Sequence, residues 1–108
     1  MWQLVSCEIW RDGGSYSAVL TDGARTVALW LQVSSWRRLE DRRYTGLFQS
    51  EGSDATLKSA RLSAEDEARW CQALRQVLAT EPGADTGAGL LAEFVEILEQ
   101  RRSAGSSP

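Results

Sequence analysis

The stretch Trp36-Arg37-Arg38-Leu39-Glu40-Asp41-Arg42-Arg43-Tyr44 sets four arginines between two aromatic rings. Guanidinium groups pair with phosphates and carboxylates, and aromatic rings stack on bases or anchor protein contacts. Three readings follow: a nucleic-acid contact, a contact with an acidic protein surface, or a solvated loop in which Glu40 and Asp41 pair with their neighbours. The net charge of −3 and a pI near 4.9 weigh against nucleic acid, because the field of the whole domain repels it. The chain has no histidine. Ser-His and Cys-His pairs are thereby removed, and the usual zinc and haem ligand sets with them. Carboxylates such as Glu8, Asp12 and Glu51 remain, but their spacing demands no acid–base pair. No catalytic residue, cofactor or metal is therefore expected.

A second stretch, Gly83-Ala84-Asp85-Thr86-Gly87-Ala88-Gly89, sets an acid among glycines. It is not a phosphate-binding loop, because no Gly-Lys-Ser/Thr follows. The string Asp85-Thr86-Gly87-Ala88 resembles the catalytic motif of the retroviral-type aspartic proteases, in which two such loops meet in a dimer and share a proton. That family has an apolar strand before the acid and a β-rich chain after it. Here Pro82-Gly83 precede and a helical pattern follows, so Asp85 or Thr86 reads as the cap of a helix.

Five tryptophans in 108 residues are the chain's most unusual feature. Trp70 falls on a helical apolar stripe and reads as core. Trp2, Trp10 and Trp30 fall on the strand faces opposite the aliphatic ones. A sheet face carrying several tryptophans is unfavourable to leave in water. The 34–43 segment, a second copy of the chain or a different partner would cover it. Trp, Tyr and Arg are the residue types that anchor interfaces. The candidate partner-binding residues are accordingly Trp10, Trp30, Trp36, Arg37, Arg38 and Tyr44.

The elements that position these residues follow from periodicity. Residues 25–33 are the central strand, with Val27, Leu29, Leu31 and Val33 on one face at a period of two. Residues 2–10 form a first strand, with Val5, Cys7 and Ile9 toward the core. Residues 16–21 form a second strand, joined to its neighbours by Asp12-Gly13 and Asp22-Gly23 turns. A short helical turn capped by Ser34 or Ser35 is expected next, then a fourth strand over 43–50 and a weaker fifth over 55–62. Ser63 caps a helix with Asp66 at the capping-box position and a stripe of Trp70, Cys71, Leu74, Val77 and Leu78. After the glycine-rich linker, Leu90, Leu91, Phe94, Val95 and Leu98 form the stripe of a second helix, with Glu93, Glu96 and Gln100 toward water. The expectation is one α+β domain over 1–102, an antiparallel meander of four or five strands with two C-terminal helices on one face, and a disordered tail over 103–108. At this length a chain buries roughly 65% of its unfolded surface, so Cys7 and Cys71 read as free buried thiols rather than a needed disulfide.

No stretch approaches a membrane span, and the first residues lack the pattern of an export signal, so a cytoplasmic chain is expected. Eleven of the twelve basic residues are arginine, with Lys58 the exception, a bias typical of GC-rich bacterial genomes rather than a mark of phosphate binding. The opening Trp10-Arg11-Asp12-Gly13-Gly14-Ser15-Tyr16-Ser17, followed by a hairpin to Asp22-Gly23, resembles small bacterial toxin-immunity proteins. The resemblance covers about the first 30 residues as a meander opening. It implies a protein-interaction module, an immunity protein or inhibitor that binds a toxin, effector or enzyme. A homodimeric adaptor or secretion chaperone is the alternative, ahead of a carboxylate-dependent enzyme or a nucleic-acid binder.

Overall fold

Val27, Leu29, Leu31 and Val33 are all buried, and the strand that carries them, β3 (Thr26–Val33), is the middle of the sheet. In the computed structural model, which describes residues 1–10, 14–34, 37–51, 60–80 and 87–106, it is flanked by β1 (Gln3–Trp10) and β2 (Ser15–Thr21) on one side. On the other side lie β4 (Tyr44–Glu51) and the two-residue β5 (Ala60–Arg61). The strands pair in sequence order, each antiparallel to the next. The turn after β2 has the expected chemistry: Asp22 Oδ1 accepts from the amides of Ala24 (2.9 Å) and Arg25 (2.7 Å), and Gly23 takes φ 95°. The Asp12-Gly13 turn and most of the expected fifth strand, 55–59, lie outside the described residues.

Helix α1 (Ala64–Thr80) starts as its sequence predicts. Ser63 Oγ accepts from the Asp66 amide at 3.2 Å, and the Asp66 carboxylate accepts from Arg69 one turn on. Cys71, Leu74 and Val77 are buried, with Trp70 and Leu78 packed beside them. Helix α2 (Ala88–Ser106) lies on β1, β2 and β4 and packs against α1. It buries Leu91, Phe94, Val95, Ile97 and Leu98. Its described backbone runs helical to Ser106. The sheet and both helices share one buried cluster, which makes the architecture α+β with five strands.

Two expectations are corrected by one irregularity. The β1–β2 register shifts between Leu4 and Ser6, so Val5 is an extra residue in a β-bulge. A one-residue insertion reverses which side chains face the core before it. Leu4 is therefore 6% exposed and Val5 53% exposed, the opposite of strict alternation. Trp2 moves with Leu4 to the helix side, where its ring meets Trp70 at 5.1 Å between centroids. It is not on the open face with Trp10 and Trp30.

The 34–43 segment also differs in detail. Its helical turn is a 3-10 turn at Leu39–Asp41, closed by the Asp41 amide on the Arg38 carbonyl at 3.1 Å. Ser34 closes the loop across its base, where its amide donates to the Arg43 carbonyl at 3.0 Å.

Candidate functional site

The cross-strand register fixes what lies on the sheet face away from the helices. One row runs Glu8–Ser17–Trp30–Phe48–Arg61 across all five strands. The next row runs Trp10–Ser15–Gln32–Gly46, and the row on the other side runs Ser6–Val19–Ala28–Ser50. Residues directly opposite on paired strands share a face, so Trp10, Trp30 and Phe48 belong to one surface. Trp10 is 57% exposed at the end of the edge strand; Trp30 and Phe48 are partly exposed. Gly46 lies beneath Phe48 and Arg61. A Cβ there would stand 2.8 Å from Phe48 Cε1 and 3.7 Å from Arg61 Cζ, so the ring and the guanidinium both lean over the bare backbone. Arg61 is held in place by its hydrogen bond to the Thr45 carbonyl at 2.9 Å.

The six residues singled out from sequence do not all join this surface. Trp10 and Trp30 do. Arg37 and Arg38 are exposed on the loop that leaves β3 at the same end of the sheet as Trp10, but Arg38 is tied to Asp41 at 3.0 Å and lies 3.7 Å from Glu40. Tyr44 is a core residue, 6% exposed and paired with Val33 on the helix side, so its ring is not available to a partner. Trp36 and Asp85 lie outside the described residues. The basic cluster is thus divided, with Arg37, Arg38 and Arg43 exposed. Arg43 bonds the Glu40 carbonyl at 2.7 Å, and Arg42 turns inward.

Arg42 leads to a polar cluster that periodicity missed. Tyr16 is fully buried, and its hydroxyl donates to Glu93 Oε2 at 2.9 Å while accepting from Arg42. Arg42 also reaches Glu93 at 3.4 Å and lies 5.7 Å from the centre of the Tyr16 ring. Glu93, read from the helical wheel as water-facing, is instead half-buried against the sheet. The available signal was its place between Leu90 and Ile97, at i−3 and i+4, on the edge of the apolar stripe. With the phenol buried, the cluster joins β2, α2 and the 34–43 loop.

Burial, then the Glu93 hydrogen bond and charge, push the Tyr16 phenol up to about 12 against an opposing pull from Arg42. Burial, then the charges of Glu8 and Glu93, push the Cys7 thiol up to about 12. Both are acids whose neutral form the fold favours. Their contribution is complete below the unfolded values near 9 and 10, and it is lost as pH rises toward 12. Urea unfolding at pH 7, 8 and 10.5 is expected to show a flat stability up to pH 8 and a fall beyond it. Cys7→Ala and Tyr16→Phe should each shrink that fall; an unchanged fall in both would contradict the assignment.

Two shallow cavities flank Trp2. One of about 390 Å³ lies between Met1, Trp2, Gln76, Val77 and Thr80. The other, about 410 Å³, is lined by Trp2, Arg25, Gln49, Asp66, Arg69 and Trp70. In the second, Trp70 Nε1 donates to Gln49 Oε1 at 3.2 Å, Arg25 sits 5.4 Å over the Trp2 ring, and Arg69 pairs with Asp66. Its polar groups are engaged with one another, which makes it the lip of the core. Among the described residues no group of three or more His, Cys, Asp or Glu is placed to hold a metal, and no helix is long and apolar enough to cross a membrane. Compared with family models, curated proteins and solved structures, the chain matches none.

Proposed function

We propose that this chain is a protein-interaction module and that the sheet face away from the helices is its contact surface. The observation that carries the reading is Trp10, a large apolar side chain 57% exposed beside the partly exposed Trp30 and Phe48. Tryptophan is the side chain most often found at the energetic centre of protein contacts, and its exposure in water is unfavourable unless a partner covers it. An inhibitor or immunity-type role is one form such a module takes: it binds a partner's surface and blocks it without chemistry of its own. The absence of histidine supports binding over catalysis.

The test replaces Trp10 by the photo-cross-linker p-benzoylphenylalanine and irradiates cells that make the protein. The same residue at Gln72, exposed on α1, is the control. A discrete protein adduct from position 10 and none from position 72 is the expected result. Irradiation that yields no adduct from position 10 would remove the sheet face as a contact surface.

A further inference from the structure

Glu8 and Arg61 are the charged strand residues of the sheet face away from the helices among those described, and they stand at opposite ends of one cross-strand row. Trp30 sits midway, on the central strand, two strands from each. At about 4.8 Å between neighbouring strands, Glu8 and Arg61 are about 19 Å apart. A surface with one negative edge, one positive edge and an aromatic centre equidistant from both is complementary to itself under a two-fold rotation.

Resting on the reading of this face as a contact surface, we infer that its partner is a second copy of the chain, packed face to face about a two-fold axis running along β3. That axis exchanges β1 with β5. Glu8 of one copy then comes over Arg61 of the other, twice. A two-fold axis across the strands through the same row would set Glu8 on Glu8 and Arg61 on Arg61, so charge selects the first arrangement. The neighbouring row agrees. Arg61 and the Phe48 ring lean over Gly46, in the row of Trp10, so the exchange of edges brings Trp10 of one copy onto the Arg61–Phe48 shelf of the other. An indole over a guanidinium is a favourable pair. The sheets stack about 10 Å apart, as in a β-sandwich. The two pairs of helices remain on the outside of the assembly.

The test is charge exchange read by sedimentation equilibrium on the purified chain, with circular dichroism to confirm folding. The wild type is expected to be a dimer. E8R and R61E each set two like-charged pairs across the interface and should raise the dissociation constant at least about tenfold. Mixing E8R with R61E in equal amounts restores both opposite-charge pairs and should return a dimer containing one of each. A monomeric wild type at all concentrations overturns the inference. So does a dimer indifferent to both substitutions, or a mixture that fails to recombine. If R61E does not fold, cross-linking of the purified protein with p-benzoylphenylalanine at position 10 decides instead. Attachment to the Phe48–Arg61 region of a second copy supports the arrangement, and any other attachment opposes it. A monomeric chain that still cross-links to a different protein in cells ends this inference while leaving the contact-surface reading intact.

Discussion

Gly87→Ala is expected to lower stability by about 2–4 kcal/mol, of which about 1 comes from the left-handed backbone and about 1–3 from overpacking. Gly87 has φ 87°, and a Cβ there would stand 2.8 Å from the Cys7 carbonyl oxygen and 3.1 Å from its amide nitrogen. Both are backbone atoms of β1, so no side chain can swing aside. The amide of Leu91 bonds the Gly87 carbonyl at 3.0 Å, so the same residue opens the first turn of α2. Alanine at this place must push the start of the helix off the edge strand. Gly23→Ala is the control, since Gly23 has φ 95° but nothing within 4 Å of its Cβ position. It should cost only about 1 kcal/mol. At about 4–8 °C per kcal/mol for a domain of this size, thermal melts of the two variants separate strain from collision. Equal melting temperatures would show that α2 does not rest on Cys7 as described.

The second large effect belongs to Arg42. Arg42→Met should lower stability by about 2–3 kcal/mol, somewhat below the cost of breaking a fully buried ion pair. Its side chain is 15% exposed and that of Glu93 35%, so water recovers part of the loss. The variant leaves a half-buried carboxylate facing the Tyr16 hydroxyl without its cation. Glu93→Gln keeps a hydrogen-bond acceptor for Tyr16 and removes the charge, so in the double variant the two losses should fall short of their sum by about 1 kcal/mol or more. Denaturant midpoints of the four proteins measure that coupling directly. Strict additivity would mean that Arg42 and Glu93 act independently, contrary to the geometry.

The sheet and helices were legible because one face of each is buried and the apolar period shows it. β3 is the clearest case: all four of its alternate apolar residues lie in the core. In the first strand the alternation fails at Val5, and the reason is physical. A bulge changes no residue type, so alternation counted through Val5 assigns Trp2 and Leu4 to the wrong side. A helical wheel sorts Glu93 to the water side by polarity, while its burial depends on Tyr16 and Arg42, 77 and 51 residues away along the chain. Tyr44 belonged by type to the interface class and by register to the core. Of the sheet face away from the helices, Trp10 and Trp30 can be named from sequence, but their relation to Phe48, Glu8 and Arg61 requires the pairing of five strands.

The bulge at Val5 has a consequence for how sheets meet. The outer strand β1 presents an unpaired backbone edge, the usual template on which another chain adds a strand and aggregation begins. An extra residue kinks that edge and disrupts the regular alternation of donors and acceptors that a further strand needs. At the other margin the described part of β5 is Ala60–Arg61. The β1 margin therefore offers no regular ladder, so crowding such chains should not extend the sheet from that side into fibres.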